Sequence, residues 1–253
     1  MAMTRRERIL ATLIGATVDR PPVSFYEIGG LKADPDDPDP YNVYNAPDWR
    51  PLLRLAEERT DLIRMMSPVR ARSIDPTGPA GSDAWRRFFR VETVEEDGAR
   101  ITRTTVSVAG RTLRQTTRRE RDQDTVWTTE HLLKDAADAE AYLRIPDEAL
   151  AETVDLAPLL AEEAALGDRG IVMVDTEDPL CAAASLFSME DYTVLALTEP
   201  ALFHRLLEQA ARRIHARTEQ VSRLFPGRLW RIYGPEYASE PYLPPRLYAE
   251  YWE

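Results

Sequence analysis

The sequence predicts an α/β fold, in which helices cover a parallel sheet and an antiparallel sheet is inserted into the chain. Short apolar segments typical of buried strands alternate with longer segments of helical periodicity. Between residues 84 and 133 this alternation gives way to threonine- and valine-rich segments separated by two hairpin turns. With 253 residues, 43% of them hydrophobic, the chain can bury a sizeable core, and we expect residues 1–253 to form a single domain.

Periodicity and capping signals predict the helices and the strands of the parallel sheet. Residues 4–7, Thr-Arg-Arg-Glu, form a capping box, and the apolar residues behind it predict a helix that ends at Gly15. A second capping box lies at residues 188–191, whereas the prolines of residues 33–40 exclude regular structure there. Further helices are predicted at residues 49–59, 135–143, 148–166 and 199–224, and from Pro244 onward. Buried strands are predicted at residues 23–28, 61–66, 171–175 and 229–233.

Alternating side chains predict four strands in the inserted segment. Asp97-Gly98 and Ala109-Gly110 separate the first three, and dipeptides of this type favour tight hairpin turns. The strands are predicted at residues 87–95, 100–108, 111–117 and 125–129. Arginines are frequent in this segment, but alternation places most of them on a solvent-facing side of a sheet in an acidic chain. We therefore expect no nucleic-acid binding.

Composition excludes several classes of protein. The 32 Lys and Arg residues against 43 Asp and Glu give a net charge of −11, which disfavours binding to nucleic acids and to anionic membranes. No apolar run is long enough to cross a bilayer, and no signal-peptide core follows the first residues. The single cysteine, Cys181, excludes an intramolecular disulfide and a multi-cysteine zinc site. We expect a cytoplasmic protein.

Three stretches of the chain, taken in order, are similar to a known family. The first is the opening helix followed by Asp-Arg-Pro-Pro-Val at residues 19–23, and the second is residues 195–207, with Thr-Glu-Pro before a long helix. The third is residues 232–239, Ile-Tyr-Gly-Pro-Glu-Tyr-Ala-Ser, followed by a proline-capped helix. Together they resemble the uroporphyrinogen decarboxylase superfamily, including its corrinoid-linked methyltransferase branch.

The resemblance implies a TIM-type (β/α)8 barrel. The four predicted parallel strands account for half of such a barrel, so we expect a form truncated to its first half, with the C-terminal strands missing and the antiparallel hairpin segment inserted. The alternative is a complete half-barrel that closes by forming a homodimer, since a half-barrel leaves open strand edges.

Active sites of such barrels lie at the carboxyl ends of the strands. There the sequence places a carboxylate-rich loop at residues 175–178, and neighbouring carboxylates can raise the pKa of one of them or bind a cation. The alternative is that Asp175 caps the next turn and the other carboxylates are solvated. We predict Asp175 and Glu236 as catalytic residues. Substrate binding is predicted for six further side chains: Tyr26, Glu27, Glu177, Tyr233, Tyr237 and Ser239.

One departure from the family pattern bears on the reaction. Decarboxylases of this superfamily carry arginines after the first strand that hold the carboxylates of the tetrapyrrole, whereas this chain has Glu27 there, which repels a polycarboxylate. We therefore favour methyl transfer from a small methylated substrate toward a corrinoid protein. Decarboxylation of a carboxylated, porphyrinogen-like substrate is the alternative within the superfamily. A non-catalytic half-barrel that self-associates is the alternative from another class.

Metal binding is not predicted for the residues of this sequence. The methyltransferase branch uses a His-x-Cys motif and a later cysteine as zinc ligands, and this chain contains no such motif. Zinc is therefore implied only if the motif lies beyond residue 253. Cys181 stands among alanines and is expected to be a packed core residue.

Overall fold

The computed structural model describes residues 2–25, 38–69, 83–234 and 238–252. It is a mixed α/β structure with a parallel three-stranded sheet and a separate four-stranded antiparallel sheet. The described strands close no barrel. The chain divides into two compact units, the first made of residues 1–69, 154–176 and 221–231 and the second of residues 70–153, 177–220 and 232–253.

The described helices are, in chain order, α1 (Arg5–Leu13), α2 (Arg50–Arg59), α3 (Asp83–Arg86), α4 (Ala136–Tyr142), α5 (Asp147–Leu150), α6 (Ala157–Leu166), α7 (Pro179–Ala184), α8 (Met189–Thr198), α9 (Pro200–Leu224) and α10 (Pro245–Trp252). Short 3-10 helices lie at Val43–Asn45 and Gly167–Arg169. The strands are β1 (Leu62–Met66), β2 (Phe89–Glu96), β3 (Ala99–Val108), β4 (Arg111–Arg119), β5 (Val126–Glu130), β6 (Gly170–Glu177) and β7 (Leu229–Tyr233). Within the described ranges, no helix combines the length and apolar character that a membrane crossing needs.

Both predicted capping boxes begin helices. The Thr4 hydroxyl accepts from the Glu7 amide at 3.1 Å while the Glu7 carboxylate accepts from the Thr4 amide at 2.8 Å, which fixes the start of α1. At the start of α8, the Ser188 hydroxyl accepts from the Asp191 amide at 3.0 Å. The capping box at Thr4 is confirmed; at Ser188 the predicted helix start is confirmed, and the Asp191 carboxylate accepts from the Ser188 hydroxyl at 2.7 Å.

The predicted helix at residues 148–166 is wrong as a single element. The structure divides it into α5 and α6, with residues 151–156 outside any helix. Pro158 lies in the first turn of α6, where its missing amide hydrogen is not needed. The same proline inside a continuous helix would remove a hydrogen bond and clash with the preceding turn.

The parallel sheet has the strand order β1-β6-β7. Leu62 pairs with Gly170 and Met66 with Val174, so β1 and β6 run side by side in register. Gly170 permits this close approach, because a Cβ atom there would lie 2.2 Å from the Leu62 carbonyl oxygen. The strands predicted at residues 61–66, 171–175 and 229–233 are therefore confirmed as strands, but β7 is not buried, since its residues are half-buried or exposed.

The predicted strand at residues 23–28 is not confirmed. Residues 23–25 have no strand assignment, and residues 26–28 lie outside the described residues. Val23 instead bonds to Asp61 just before β1: its amide donates to Asp61 Oδ2 at 2.8 Å, and its carbonyl accepts from the Asp61 amide at 2.7 Å. The Asp61 carboxylate thus accepts the hydrogen bond from the Val23 amide that a carbonyl of a neighbouring strand would otherwise accept.

The two faces of the parallel sheet differ in their surroundings. Leu62, Val172 and Val174 pack into one apolar cluster with Leu159 and Leu166 of α6. Because side chains alternate along a strand, the residues between them point to the opposite face. That face carries Ile63, Met65, Ile171, Met173, Asp175 and Arg231. Helices therefore cover one face, and the other carries four apolar side chains, of which Ile171 and Met173 are buried, beside the charged pair of Asp175 and Arg231.

The antiparallel sheet confirms the predicted insertion. Its strand order is β2-β3-β4-β5, and the turns at Asp97-Gly98 and Ala109-Gly110 have positive φ at both positions, as two-residue hairpins of this type require. One side of the sheet packs Val106, Val108 and Leu113 into the largest apolar cluster of the second unit.

Candidate functional site

An ion pair joins β6 and β7 on the face of the parallel sheet opposite the helices. Asp175 Oδ1 accepts from Arg231 Nη1 at 3.1 Å, and the same nitrogen lies 3.6 Å from the Met65 sulfur. Both charged side chains keep part of their surface exposed to solvent. Asp175, which the sequence predicts as a catalytic residue, therefore lies near the carboxyl end of a parallel strand with an arginine as its neighbour.

Arg231 is a site residue that the sequence reasoning missed. The sequence feature that could have indicated Arg231 is the alternation of side chains along β7. Trp230 packs into the apolar cluster, so Arg231 points to the opposite face. A guanidinium group has five N–H donors in a planar fork, so it can hold a substrate oxygen while bonded to Asp175. The pair can therefore orient a polar substrate and stabilise negative charge that develops on it.

Glu177 belongs to a second group of charges, in the second unit. Its Oε1 accepts from Arg213 Nη2 at 3.1 Å. Arg213 also lies 3.7 Å from Glu152, which accepts from Arg217 Nη1 at 2.9 Å. Burial raises the pKa of Glu177, and the charges of Arg213 and Arg217 oppose that rise. Substrate binding by Glu177 stays a prediction, since in this structure its carboxylate contacts a helix arginine.

The two arginines of this group line a cavity of about 330 Å³ in the second unit. It lies between α9 and residues 147–152, and Arg212 on the same helix pairs with Asp147 across it at 2.7 Å. Every charge that we describe on the α9 wall therefore has an acidic partner on the opposite wall. The cavity offers little free charge to a ligand.

Asp178 has the most buried carboxyl group of the 175–178 loop. Its Oδ1 accepts from the Cys181 amide at 2.5 Å and caps α7, whereas its Oδ2 is buried without a hydrogen-bond partner among the described residues. A Cβ atom at Gly234 would lie 2.5 Å from Oδ2, so only glycine leaves room for this oxygen. Burial raises the pKa of Asp178. The alternative in which Asp175 caps the next turn is wrong, because Asp178 is the cap.

We expect the buried carboxyl of Asp178 to lower stability as the pH rises. A carboxyl whose pKa is raised in the folded state binds more protons there than in the unfolded state, so the free energy of unfolding falls as the pH rises through the folded-state pKa. Asp178→Asn keeps the capping oxygen and removes the titration. Urea unfolding of both proteins between pH 4 and 8 should show the variant gaining relative stability toward the higher pH. A constant difference across this range would contradict the expectation.

The remaining predicted site residues divide into two groups. Tyr26, Glu27, Glu236 and Tyr237 lie outside the described residues. The Tyr233 carbonyl accepts from the Asp178 amide at 3.0 Å, and the Ser239 carbonyl accepts from the amides of Tyr242 and Leu243. The backbones of Tyr233 and Ser239 therefore stabilise the chain around Asp178 and before α10, and their roles in substrate binding stay predictions.

Zinc does not fit the residues that the structure describes. No three His, Cys, Asp or Glu side chains among them lie close enough together to hold a metal ion. Burial, with the charges of Glu177 and Asp178 beside it, raises the pKa of the Cys181 thiol to about 11, so the thiolate that zinc binds is disfavoured. His204 Nε2 lies 3.0 Å from Glu250 Oε1.

Comparison of the chain with protein-family models, with curated proteins and with solved structures finds no match. A function for this chain therefore has to be argued from its own residues.

Proposed function

We propose that this chain is an enzyme that resembles the uroporphyrinogen decarboxylase superfamily and transfers a methyl group from a small methylated substrate toward a corrinoid protein. The ion pair of Asp175 and Arg231 is the observation that carries the proposal. It would lie at the centre of the site, with the thioether of Met65 beside it.

The order of the parallel strands supports the scaffold part of the proposal. In a TIM-type barrel, consecutive parallel strands are neighbours and the helices between them cover the outer face. Here the three parallel strands lie side by side in the order in which they occur in the chain, β1-β6-β7, with the antiparallel sheet inserted between β1 and β6, and α6 packs on one face. The opposite face, with Asp175 and Arg231, would correspond to the barrel interior. In this proposal the three strands are part of a barrel-type sheet.

The charge of the site supports a small substrate. Asp175 neutralises Arg231, so the pair offers no surplus positive charge for a polycarboxylate. Met65 adds a soft apolar contact of the kind that suits a methyl group. A substrate with one polar atom and one or more methyl groups fits this combination better than a porphyrinogen does.

The chemistry assigned to the pair is the stabilisation of a leaving group. The bond between the methyl carbon and its heteroatom would break with its electron pair on the heteroatom, and the reduced corrinoid of the partner would supply the electron pair for the new bond to the methyl carbon. Arg231 would donate hydrogen bonds to the heteroatom as its negative charge develops, and Asp175 would hold the guanidinium in position. A proton from water then completes the demethylated product.

Each of the two alternative functions, decarboxylation and self-association, is favoured by one observation. Decarboxylation is favoured by Arg231, because the planar fork of a guanidinium group matches a carboxylate. Self-association of a non-catalytic half-barrel is favoured by the position of β7 at the edge of the described sheet, where Ile232 is 60% exposed.

A parallel assay separates the three proposals. The whole chain is incubated with reduced cobalamin and methanol, methylamines, methylated thiols or methoxylated aromatics, and methylcobalamin formation is followed by absorbance. Carbon dioxide release from uroporphyrinogen is measured beside it, and light scattering gives the oligomeric state. Methylcobalamin formation supports the proposal, and carbon dioxide release alone supports decarboxylation. A stable homodimer without turnover of any substrate supports self-association.

A further inference from the structure

The side of the antiparallel sheet that faces away from its apolar cluster carries a groove of about 280 Å³. Its lining includes six side chains from β2, β3, β4 and β5: Arg90, Glu92, Arg103, Thr105, Arg114 and Glu130. The groove belongs to the second unit alone and is separate from the ion pair of Asp175 and Arg231.

The strand register places two arginines on either side of a threonine. Arg90 of β2 lies opposite Thr105 of β3, and Thr105 lies opposite Arg114 of β4. Residues directly opposite in an antiparallel pair point to the same face. With neighbouring strands about 4.8 Å apart, the two arginine Cα atoms lie roughly 10 Å apart. Both guanidinium groups can therefore reach over the hydroxyl of Thr105.

The absence of a direct ion pair distinguishes these two arginines within the described sheet, although the charge of Arg114 acts on the Glu130 carboxyl and helps to lower its pKa. Arg103 pairs with Glu96 at 2.7 Å, Arg118 with Glu120 at 2.6 Å and Arg119 with Asp124 at 2.9 Å. Arg90 and Arg114 form no ion pair with any residue in the described part of the chain. Two like charges on one row repel each other, and a bound oxyanion would remove that repulsion.

We propose that this groove binds a small molecule through a single phosphate or carboxylate group, held between Arg90 and Arg114 with the Thr105 hydroxyl as a third donor. Bonds of this kind, from charged guanidinium groups to an oxyanion, are the strong class of hydrogen bonds.

The next row of side chains limits the ligand to one anionic group. Two residues further along the strands, about 7 Å away, Glu92 lies opposite Arg103, and Glu130 lies opposite Thr116. Glu92 and Glu130 would repel a second phosphate at this position. A nucleic-acid strand, which carries regularly spaced phosphates, therefore fits the groove poorly. A ligand whose remaining groups are hydroxyls or amines can donate to Glu92.

The proposal is tested by titrating the 15N-labelled whole chain with inorganic phosphate, with acetate and with phosphoethanolamine. We expect saturable shifts of the amides around Thr105, with a dissociation constant of about 1 mM for the better oxyanion. Phosphoethanolamine should bind more tightly than phosphate, because its amine can reach Glu92. Whichever of phosphate and acetate binds more tightly shows whether the groove prefers a phosphate or a carboxylate group.

Matched variants separate the groove from general charge effects. Arg90→Gln and Arg114→Gln should each weaken binding about tenfold. Arg118→Gln, on the same face of β4, should leave it within about twofold. Glu92→Gln should tighten the binding of inorganic phosphate, a gain that misfolding cannot produce. Absence of saturable shifts, or equal weakening by Arg118→Gln, would overturn the proposal. Tighter binding of a short single-stranded oligonucleotide than of phosphate would overturn it in favour of a nucleic-acid surface.

Discussion

Asp61→Asn is expected to lower the free energy of unfolding by about 3–5 kcal/mol at neutral pH, the usual effect of removing one partner from a buried ion pair. Asp61 is fully buried at the start of β1. Its carboxylate accepts from Arg8 at 2.6 Å, from Arg20 at 2.9 Å and from the Val23 amide at 2.8 Å. The asparagine has nearly the same shape, so the loss comes from the missing charge beside Arg8, which is itself buried.

The pH dependence of this effect has a definite sign. Burial alone would raise the pKa of Asp61, but hydrogen bonds from Val23, Arg20 and Arg8 outweigh it and hold the pKa below its usual range. The stabilisation is therefore present above a pH of about 4 and is lost as the pH falls through the folded-state pKa. Urea unfolding of the variant and the parent should show a difference that is largest at neutral pH and shrinks toward pH 2.

Asp147→Asn is the matched control for this measurement. Asp147 bonds to Arg212 in a similar way, at 2.7 Å and 3.1 Å, but about half of each side chain is exposed. Exposed pairs contribute about 0–1 kcal/mol because solvent screens them. If Asp61→Asn costs no more than Asp147→Asn, then burial of the Asp61 network does not stabilise the first unit in the way described here.

Replacing either member of the ion pair of Asp175 and Arg231 is expected to reduce turnover about 100-fold. Loss of one donor that stabilises developing charge has an effect of this order. Arg231→Gln removes that donor, and Asp175→Asn removes the charge that positions it. If the two act as a unit, the double variant should be no slower than the slower single variant. Initial rates with the substrate that the panel identifies provide the measurement.

Arg169→Gln controls for the loss of an arginine in the same unit. Arg169 pairs with Glu57 at 3.1 Å, and about half of the Arg169 side chain is exposed. Its turnover should stay within about twofold of the parent, and unfolding of all variants should differ by no more than about 1 kcal/mol. Full activity in Arg231→Gln would remove Arg231 from the site and with it the proposed chemistry.

The elements that the sequence predicts correctly are those with local signals. The capping boxes at Thr4 and Ser188 and the hairpins at Gly98 and Gly110 depend on residues within four positions of each other. Their hydrogen bonds form inside the same short segment, so neighbouring residues are enough to predict them. Pro158 is also a local signal for a helix start, but helical periodicity on both sides of it predicts one continuous helix instead of α5 and α6.

The candidate site is only partly visible in the sequence, because its partners come from distant segments. The position of Asp175 near a strand end follows from the apolar run before it, but its partner Arg231 lies on a strand more than 50 residues later. Glu177 meets Arg213 on a helix that also bonds Glu152. The residues next to Glu177 in the sequence do not indicate that its ion-pair partner is Arg213. Asp178 caps α7 because it directly precedes Pro179, which begins the helix; this local signal favours Asp178, whereas the capping alternative named Asp175.

The pairing of Leu62 with Gly170 also has a consequence for the nascent protein. During synthesis β1 leaves the ribosome about 100 residues before β6, and at roughly 5–20 residues per second its apolar strand waits between 5 and 20 seconds for its partner. The hairpins of β2, β3 and β4 form within microseconds of leaving the ribosome, since their contacts are local. The antiparallel sheet should therefore fold while β1 still lacks its partner strand β6, and chaperones that bind exposed strands can bind residues 62–66 during that time.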